Sequence, residues 1–258
     1  MADFVPPPAT LRERVRLLSD ADELRILDIL RGMTLHDKIG QTFQPNWRCL
    51  RPAASGLLST PLSGLTRGAA PSSFLGRAHA LFSHSDSAAI DAAAAAAVTQ
   101  HGLGAVLGDG GAAPLPNEPA TWRTQAQALQ TAASATRSKV PLLIGNDTVH
   151  GQSNLKHATI FPHHIGQGCM RDASGQPDAA RVEALARLAA RESHACGINW
   201  AFSPCVAVPR DLRWGRTYEG FSEDVSIVAV LGAAEVRGLQ RAGVPMAACL
   251  KHCAPRRT

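Results

Sequence analysis

Four short apolar segments, each followed by polar residues, constrain the fold of this chain more than any other feature. The segments 103–107, 140–144, 201–208 and 246–250 have the length of buried strands, and helix-forming segments lie between them. Strands that alternate with helices form parallel sheets, in which the carboxyl ends of all the strands lie along one edge. The pattern therefore predicts an α/β fold in which polar side chains converge at the ends of the strands, as in a (β/α)8 barrel.

The segments between and before the strands have the composition and periodicity of helices. In 179–195, apolar residues recur at helical spacing on one face, and Glu183 and Arg187 lie four residues apart on the other. Thr34 with Asp37 three residues later resembles a capping box, which marks the start of a helix. The predicted helices are 11–30, one that begins after Thr34, 92–97, 122–135, 179–195 and 225–241.

The chain is expected to have an N-terminal segment followed by one domain. Residues 1–30 are expected to form a Pro-rich tail and a helix, and residues 31–252 a barrel domain. Within the domain, 45–87 is rich in Ser, Gly, Pro, Ala and Arg and has no period of 2 or 3.6. Because a long structureless loop is uncommon inside a compact domain, this segment is expected to be a disordered insertion or, equally, translated intron.

The second strand leads into the most polar of the strand ends. After the apolar run 140–144, Asn146 and Asp147 are followed by histidines, asparagines and a glutamine as far as Gly168. A carboxylate among many hydrogen-bonding groups suits a ligand that carries several hydroxyl groups. The alternative is that Asp147 only caps the turn after its strand.

Composition weighs against several other classes of protein. The net charge of +5 favours a solvated surface over a nucleic-acid site, because Lys is rare and the Arg residues are spread among acidic ones. The sequence contains no run of about 18 apolar residues, so no membrane span is predicted. The N-terminus has no signal-peptide core, so the chain as written is expected to be cytoplasmic.

Cysteine and histidine patterns give no metal motif. None of the six cysteines forms a C-x-x-C pair, and buried free thiols are expected. Ten histidines would allow a metal hydrolase, but no H-E-x-x-H sequence occurs. No cofactor is expected.

Three long motifs, in order, resemble glycoside hydrolase family 3. They are GNDTVHGQSNLKHATIFPHHIGQG at 145–168, FSPCVAVPRDLRWGRTYEGFSED at 202–224 and CLKH at 249–252. The segments MTLHDKIGQ at 33–41 and GLGAVLGDGG at 102–111 are also similar to that family. The resemblance is strongest to β-glucosidases and exo-β-glucanases, and it implies the N-terminal (β/α)8 barrel of the family.

The resemblance implies four substrate-binding residues. Asp147 matches the carboxylate that binds hydroxyls of the terminal sugar, Arg216 a ligand-contacting arginine, and Lys251 and His252 a Lys-His pair that binds the same sugar. Charged groups make stronger hydrogen bonds to hydroxyls than neutral groups do. Arg216 has an alternative role, an ion pair with an acidic residue of the same segment, Glu219 or Glu223.

Other polar residues of these motifs are expected to be structural. Arg210 and Arg213 are expected to stabilise the fold, and Asn154 fits either role. Glu219, Glu223 and Asp224 are expected to support the binding residues or to begin a helix, because acidic groups are favourable in a first turn. The histidines expected to pack in loops are His150, His157, His163 and His164.

The resemblance also implies that residues 253–258 are an aberrant tail, because the family continues differently after the Lys-His pair, and that the catalytic groups lie beyond this chain. Glycoside hydrolysis normally uses two carboxyl groups, which in this family are an aspartate nucleophile and a later glutamate acid/base. The expected fold class is therefore α/β, a partial (β/α)8 TIM-barrel-like domain that is incomplete at its C-terminus. The full product is expected to hydrolyse terminal β-D-glucosyl residues of β-glucosides or β-glucan oligosaccharides, and this chain to be inactive. The alternative is a non-catalytic carbohydrate-binding remnant.

Overall fold

The computed structural model describes residues 19–50, 87–108 and 113–252. The expected tails at 1–18 and 253–258 and most of the expected insertion, 51–86, lie outside the described residues. The helices are α1 (Asp20–Gly32), α2 (Leu35–Gln41), α3 (Ser87–His101), α4 (Pro119–Ser134), α5 (His164–Gln167), α6 (Ala179–Ala195) and α7 (Val225–Gln240). The strands are β1 (Ala105–Leu107), β2 (Leu143–Asn146), β3 (Trp200–Ala201) and β4 (Ala247–Ala248), and 3₁₀ turns cover Trp47–Leu50 and Thr217–Glu219.

The four strands form one parallel sheet in the order β1-β2-β3-β4. A helix connects each strand to the next: α4 before β2, α6 before β3 and α7 before β4. This confirms the predicted α/β fold and its repeated strand–helix units. The sheet formed by the described residues is open and does not close into a barrel. β4 lies at one edge, and at the other edge β1 is joined by a single parallel bridge to Asn46.

Polar side chains begin several of the helices, as their sequence indicates. Thr34 and Asp37 form the predicted reciprocal capping box at α2. Asp178 and Asp224 accept backbone hydrogen bonds at the starts of α6 and α7, which satisfies amide groups that have no partner within the helix. The predicted bounds of the helix 179–195 are confirmed, and Asp224 begins a helix as expected.

One core lies between α3, α4 and the first two strands. Trp47 and Trp122 pack with ring centroids 5.3 Å apart, and Val106, Leu129 and Ile144 lie in the same cluster. Trp47 is 1% exposed. The prediction that the insertion starts at residue 45 is therefore wrong at its edge, since burying an indole ring removes a large apolar area from water.

The second core lies between α6, α7 and the last two strands, and small residues allow the two helices to approach closely. A Cβ added to Gly238 of α7 would clash with the backbone oxygen of Glu183 in α6. The Glu183 carboxylate accepts hydrogen bonds of 3.0 Å from Arg187 and from Arg237, so it joins the two helices. The predicted pair of Glu183 and Arg187 is confirmed.

α1 differs from the other long helices because none of its residues is buried. Its large apolar side chains are exposed: Leu24, Ile26, Leu27 and Leu30. Across the described ranges, no helix is both long and apolar enough to span a bilayer. Cys169, Cys196, Cys205 and Cys249 are free thiols. The expectation that they are buried is confirmed for Cys196 and Cys205, but it is wrong for Cys169, which is exposed, and for Cys249, which is only partly buried.

Candidate functional site

The ends of the strands meet at one edge of the sheet, as the sequence predicts. The Asn146 side chain donates to the Gly108 backbone oxygen at 3.0 Å, which joins the ends of β1 and β2. Backbone bonds from Phe202 to Asn146 and from Lys251 to Pro204 join the segments that follow β2, β3 and β4. Three segments with polar side chains are therefore neighbours: 146–154, 203–219 and 249–252.

Asp147 and Lys251 form an ion pair across these segments. The Lys251 Nζ lies 2.6 Å from the Asp147 Oδ1, and their side chains are 16% and 51% exposed. Asn154 donates to the Asn146 Oδ1 at 2.7 Å, which holds the turn that carries Asp147. The carboxylate is thus fixed at the strand end while about half of its surface stays open to solvent.

Arg216 lies beside this pair and has two partners. Its guanidinium donates to both carboxylate oxygens of Glu219, at 2.5 and 2.7 Å, so the predicted alternative of an ion pair with Glu219 is present. It also lies 2.8 Å from the His252 Nε2. Arg216 is therefore both paired in its own segment and in contact with the Lys-His segment.

These contacts shift the pKa values of the ionisable groups in the site. Hydrogen bonding to Arg216 lowers the pKa of Glu219, and the same contact raises the pKa of Arg216. Burial, and then the positive charges of Arg216 and Lys251, lower the pKa of His252. A neutral His252 can accept the hydrogen bond from Arg216 through Nε2.

Three possible metal ligands also meet here. Donor atoms of Cys205, Glu219 and His252 all lie within 4.8 Å of one another. The guanidinium of Arg216, however, already binds Glu219 and His252, and Lys251 adds a second positive charge. A metal ion would have to displace Arg216, so this cluster fits a site built around the protein's own cations.

A buried ion pair below the site was not predicted from the sequence. The His164 Nε2 lies 2.9 Å from the Glu235 Oε2, and the two side chains are 1% and 6% exposed. Burial alone would lower the pKa of His164, but the Glu235 charge and hydrogen bonds with Cys205, Glu235 and Glu219 outweigh it and raise the pKa to about 10. The available signal was Glu235 itself, which lies four residues from Leu231 and Leu239 on the apolar face of its helix.

The other histidines vary in their packing. The rings of His150 and His163 lie 3.8 Å apart between centroids, and His163 meets Tyr218 edge to face at 4.7 Å, so packing in loops is confirmed for these two. The same prediction is wrong for His157, which is exposed and has a φ of 69°. His164 packs on Phe221 and also carries the buried ion pair.

The remaining charged residues of the motif have local partners. Arg213 pairs with Asp211 two residues away, and 85% of its side chain is exposed. Arg210 donates to the backbone oxygen of Glu223 at 3.5 Å. These contacts agree with a stabilising role and leave the two arginines outside the cluster around Arg216.

Known β-glucosidases and an exo-glucanase are similar to this chain. The lysosomal beta glucosidase of Dictyostelium discoideum is 32% identical over 120 residues, which are 46% of this chain and 14% of that protein. The periplasmic beta-glucosidase of Salmonella typhimurium is 38% identical over 104 residues, 40% of this chain and 12% of that protein. A mutant exo-1,3/1,4-beta-glucanase from a Pseudoalteromonas species superposes with a TM-score of 0.61 at 31% identity, over 86% of this chain and 29% of that one.

The chain spans 12% to 29% of the length of these three proteins. The match to the family covers more of the chain than either alignment to a β-glucosidase does. The model of the glycosyl hydrolase family 3 N-terminal domain covers residues 34–256, which includes every segment of the site. The chain therefore belongs to glycosyl hydrolase family 3, and it matches the N-terminal domain of that family.

Proposed function

We propose that this chain forms the glucosyl-binding part of a retaining, exo-acting glycoside hydrolase of the β-glucosidase type. The observation that carries the proposal is the meeting of Asp147, Lys251, Arg216 and His252 at the carboxyl ends of parallel strands. Active sites of barrel enzymes lie at this end of the sheet. The names of the similar proteins, two β-glucosidases and an exo-1,3/1,4-β-glucanase, support a terminal β-linked glucosyl group as the ligand.

The four side chains offer complementary hydrogen-bonding groups. The half-exposed Asp147 carboxylate can accept from two adjacent hydroxyls, while Lys251 and Arg216 donate to hydroxyl oxygens. A neutral His252 carries one donor and one acceptor nitrogen. A sugar with neighbouring hydroxyls can therefore take part in the existing ion pairs without leaving a charge unpaired.

Both carboxylates of the site already bind a positively charged side chain of the protein. A retaining hydrolase needs a nucleophile and a protonated acid, whose pKa is normally raised. Asp147 is paired with Lys251, and Glu219 is paired with Arg216, which lowers its pKa. We propose that hydrolysis uses an aspartate nucleophile and a glutamate acid/base other than these residues, and that the 258-residue chain binds sugar without cleaving it.

The first test measures binding by titration calorimetry on the full 258-residue chain. Glucose, the β-1,3-linked disaccharide laminaribiose and the β-1,4-linked disaccharide cellobiose are expected to bind, and N-acetylglucosamine to bind more weakly because its bulky 2-substituent replaces a hydroxyl. Asp147→Asn is expected to weaken glucose binding about 10- to 100-fold, since it removes charge-assisted hydrogen bonds. Asp211→Asn is the matched control and should keep the affinity, because its partner Arg213 is exposed and local. Equal affinity in wild type and Asp147→Asn would overturn the proposal.

The second measurement is hydrolysis of an aryl β-glucoside by the same chain. No turnover above background is expected, since Arg216 lowers the pKa of Glu219 and Asp147 is paired with Lys251. Turnover comparable with that of a known β-glucosidase would show that this chain includes the catalytic pair and would overturn this part of the proposal.

A further inference from the structure

We propose that Glu235 is a positioning residue for the site, which it holds in register through Ser203 on one side and His164 on the other. The inference rests on the proposed function for its meaning, but its geometry is independent of any ligand. Glu235 lies on α7, is 4% exposed and touches none of the proposed sugar-binding side chains. It contacts instead Ser203 and His164, each of which is hydrogen-bonded to a segment that carries one or more of these side chains.

The first connection runs from Glu235 to Lys251. The Ser203 hydroxyl donates to the Glu235 Oε1. The backbone after Ser203 pairs with the segment that carries the Lys-His pair: Cys249 donates to Ser203 at 2.9 Å, and Lys251 donates to Pro204 at 3.0 Å. The Glu235 carboxylate therefore fixes the strand end on which Lys251 is hydrogen-bonded.

The second connection runs from Glu235 to Arg216. The other oxygen, Oε2, faces the His164 Nε2 at 2.9 Å, and the His164 Nδ1 lies 2.7 Å from the backbone oxygen of Glu219. The Nδ1 faces a backbone oxygen, which can only accept, so Nδ1 carries a proton. The Nε2 lies at ion-pair distance from the Glu235 carboxylate but not in hydrogen-bond geometry, so the contact on this side is one of opposite charges. The Glu219 carboxylate then holds Arg216 through two hydrogen bonds.

The two connections meet at the site. Arg216, at the end of one, lies 2.8 Å from the His252 Nε2, and His252 follows Lys251 at the end of the other. One buried carboxylate thus sets the relative position of two groups that come from different strand ends. A pair that served only to hold α7 on the sheet would not require a bond from His164 to the segment that carries Arg216.

The test uses Glu235→Gln in the full chain, and its main measurement needs no sugar. Glutamine keeps the volume and the acceptor for Ser203, but it removes the charge that keeps His164 doubly protonated. The His252 pKa is measured by NMR titration, with the resonance assigned by its loss in His252→Gln. Arg216, Lys251, Glu219 and Asp147 are the charged groups that face His252.

In wild type the His252 pKa is expected below its ordinary value of about 6.5. In Glu235→Gln it should rise by about half a unit or more, because Arg216 is released from its contact with the imidazole. Glucose affinity should fall about tenfold in the same variant. Glu183→Gln is the matched control: it also removes a helix carboxylate that binds two groups, Arg187 and Arg237, yet should change neither quantity.

The positioning role of Glu235 and the proposed function can each fail without the other. An unchanged His252 pKa in folded Glu235→Gln overturns it, whether or not the chain binds glucose. If wild type fails to bind glucose, the proposed function fails, while the His252 titration still decides the positioning role. If Glu235→Gln does not fold, His164→Gln, which leaves Glu235 bonded to Ser203, is measured in its place. It should raise the His252 pKa in the same way, and an unchanged value there overturns the proposal.

Discussion

Two ion pairs join distant segments at the site end of the sheet, and they differ in their access to solvent. The side chains of His164 and Glu235 are 1% and 6% exposed, whereas those of Lys251 and Asp147 are 16% and 51% exposed. The buried pair cannot exchange its contacts with water or a ligand, so its geometry is fixed once the chain has folded. The exposed pair can open towards a sugar because water or a hydroxyl can replace each lost contact.

Loss of the buried pair should lower the free energy of unfolding more than loss of the exposed pair. Loss of one partner of a buried pair leaves a charge that has neither water nor a counter-ion, whereas loss of one partner of an exposed pair leaves a charge that water solvates. The comparison is therefore tested by removal of one partner at a time. The same carboxylate-to-alanine change in each pair should have unequal effects on stability.

Glu235→Ala should have the largest effect on stability. We expect the free energy of unfolding to fall by about 3–5 kcal/mol, because His164 loses its counter-ion in the interior and Ser203 loses its acceptor. Urea unfolding followed by circular dichroism measures the change, with the transition slope checked for constancy. Asp211→Ala, which breaks the exposed pair with Arg213, is the control and should cost at most about 1 kcal/mol. A loss below about 1 kcal/mol in Glu235→Ala would show that the buried pair adds no more than an exposed one.

The second-largest expected effect is a loss of stability with rising pH that comes from the buried pair. The pKa of His164 is raised to about 10 in the folded chain, against about 6.5 when unfolded. The folded state therefore holds one more proton than the unfolded state between these values. Its stabilisation is complete below about pH 6.5 and is lost as pH rises towards about 10, by at most about 1.4 kcal/mol per pH unit.

The pH prediction is checked by urea unfolding of wild type and His164→Gln at a series of pH values from about 6 to about 10. The wild-type curve should fall more steeply than that of the variant, and the difference between the two removes contributions from other titrating groups. Parallel curves would show that His164 is neutral in the folded chain and that the buried contact is an ordinary hydrogen bond.

The sequence predicted the sheet better than it predicted the lengths of its strands. Alternating apolar and helix-forming segments are local signals, so the order of elements and the meeting of the strand ends could be foreseen. The segment 201–208 was predicted as one strand, but β3 ends at Ala201. Pro204 has no backbone N–H and cannot donate to a ladder, and pairing resumes only as a single bridge at Cys205.

The candidate site was partly predictable for a related reason. Asp147 and Lys251 could be named because each follows an apolar segment and belongs to a motif. His164 and Glu235 lie 71 positions apart, and only the packing of the helices on the sheet brings them together. Trp47 was missed because its neighbours show no periodicity, although its partner Trp122 lay in a predicted helix.

Asp147→Ala should have the smallest effect on stability. The carboxylate is about half exposed, and its removal opens the Lys251 ammonium, which is 16% exposed in the pair, to water. The loss should therefore lower the free energy of unfolding by about 1 kcal/mol or less, even though the same position is expected to govern glucose binding. Any difference from wild type should shrink when unfolding is repeated in about 1 M NaCl, where charges are screened beyond about 3 Å. A loss of about 3 kcal/mol or more that persists in high salt would place Asp147 in the same class as Glu235. The contrast between a fixed pair and an opening pair would then fail, because both carboxylates would be parts of the scaffold.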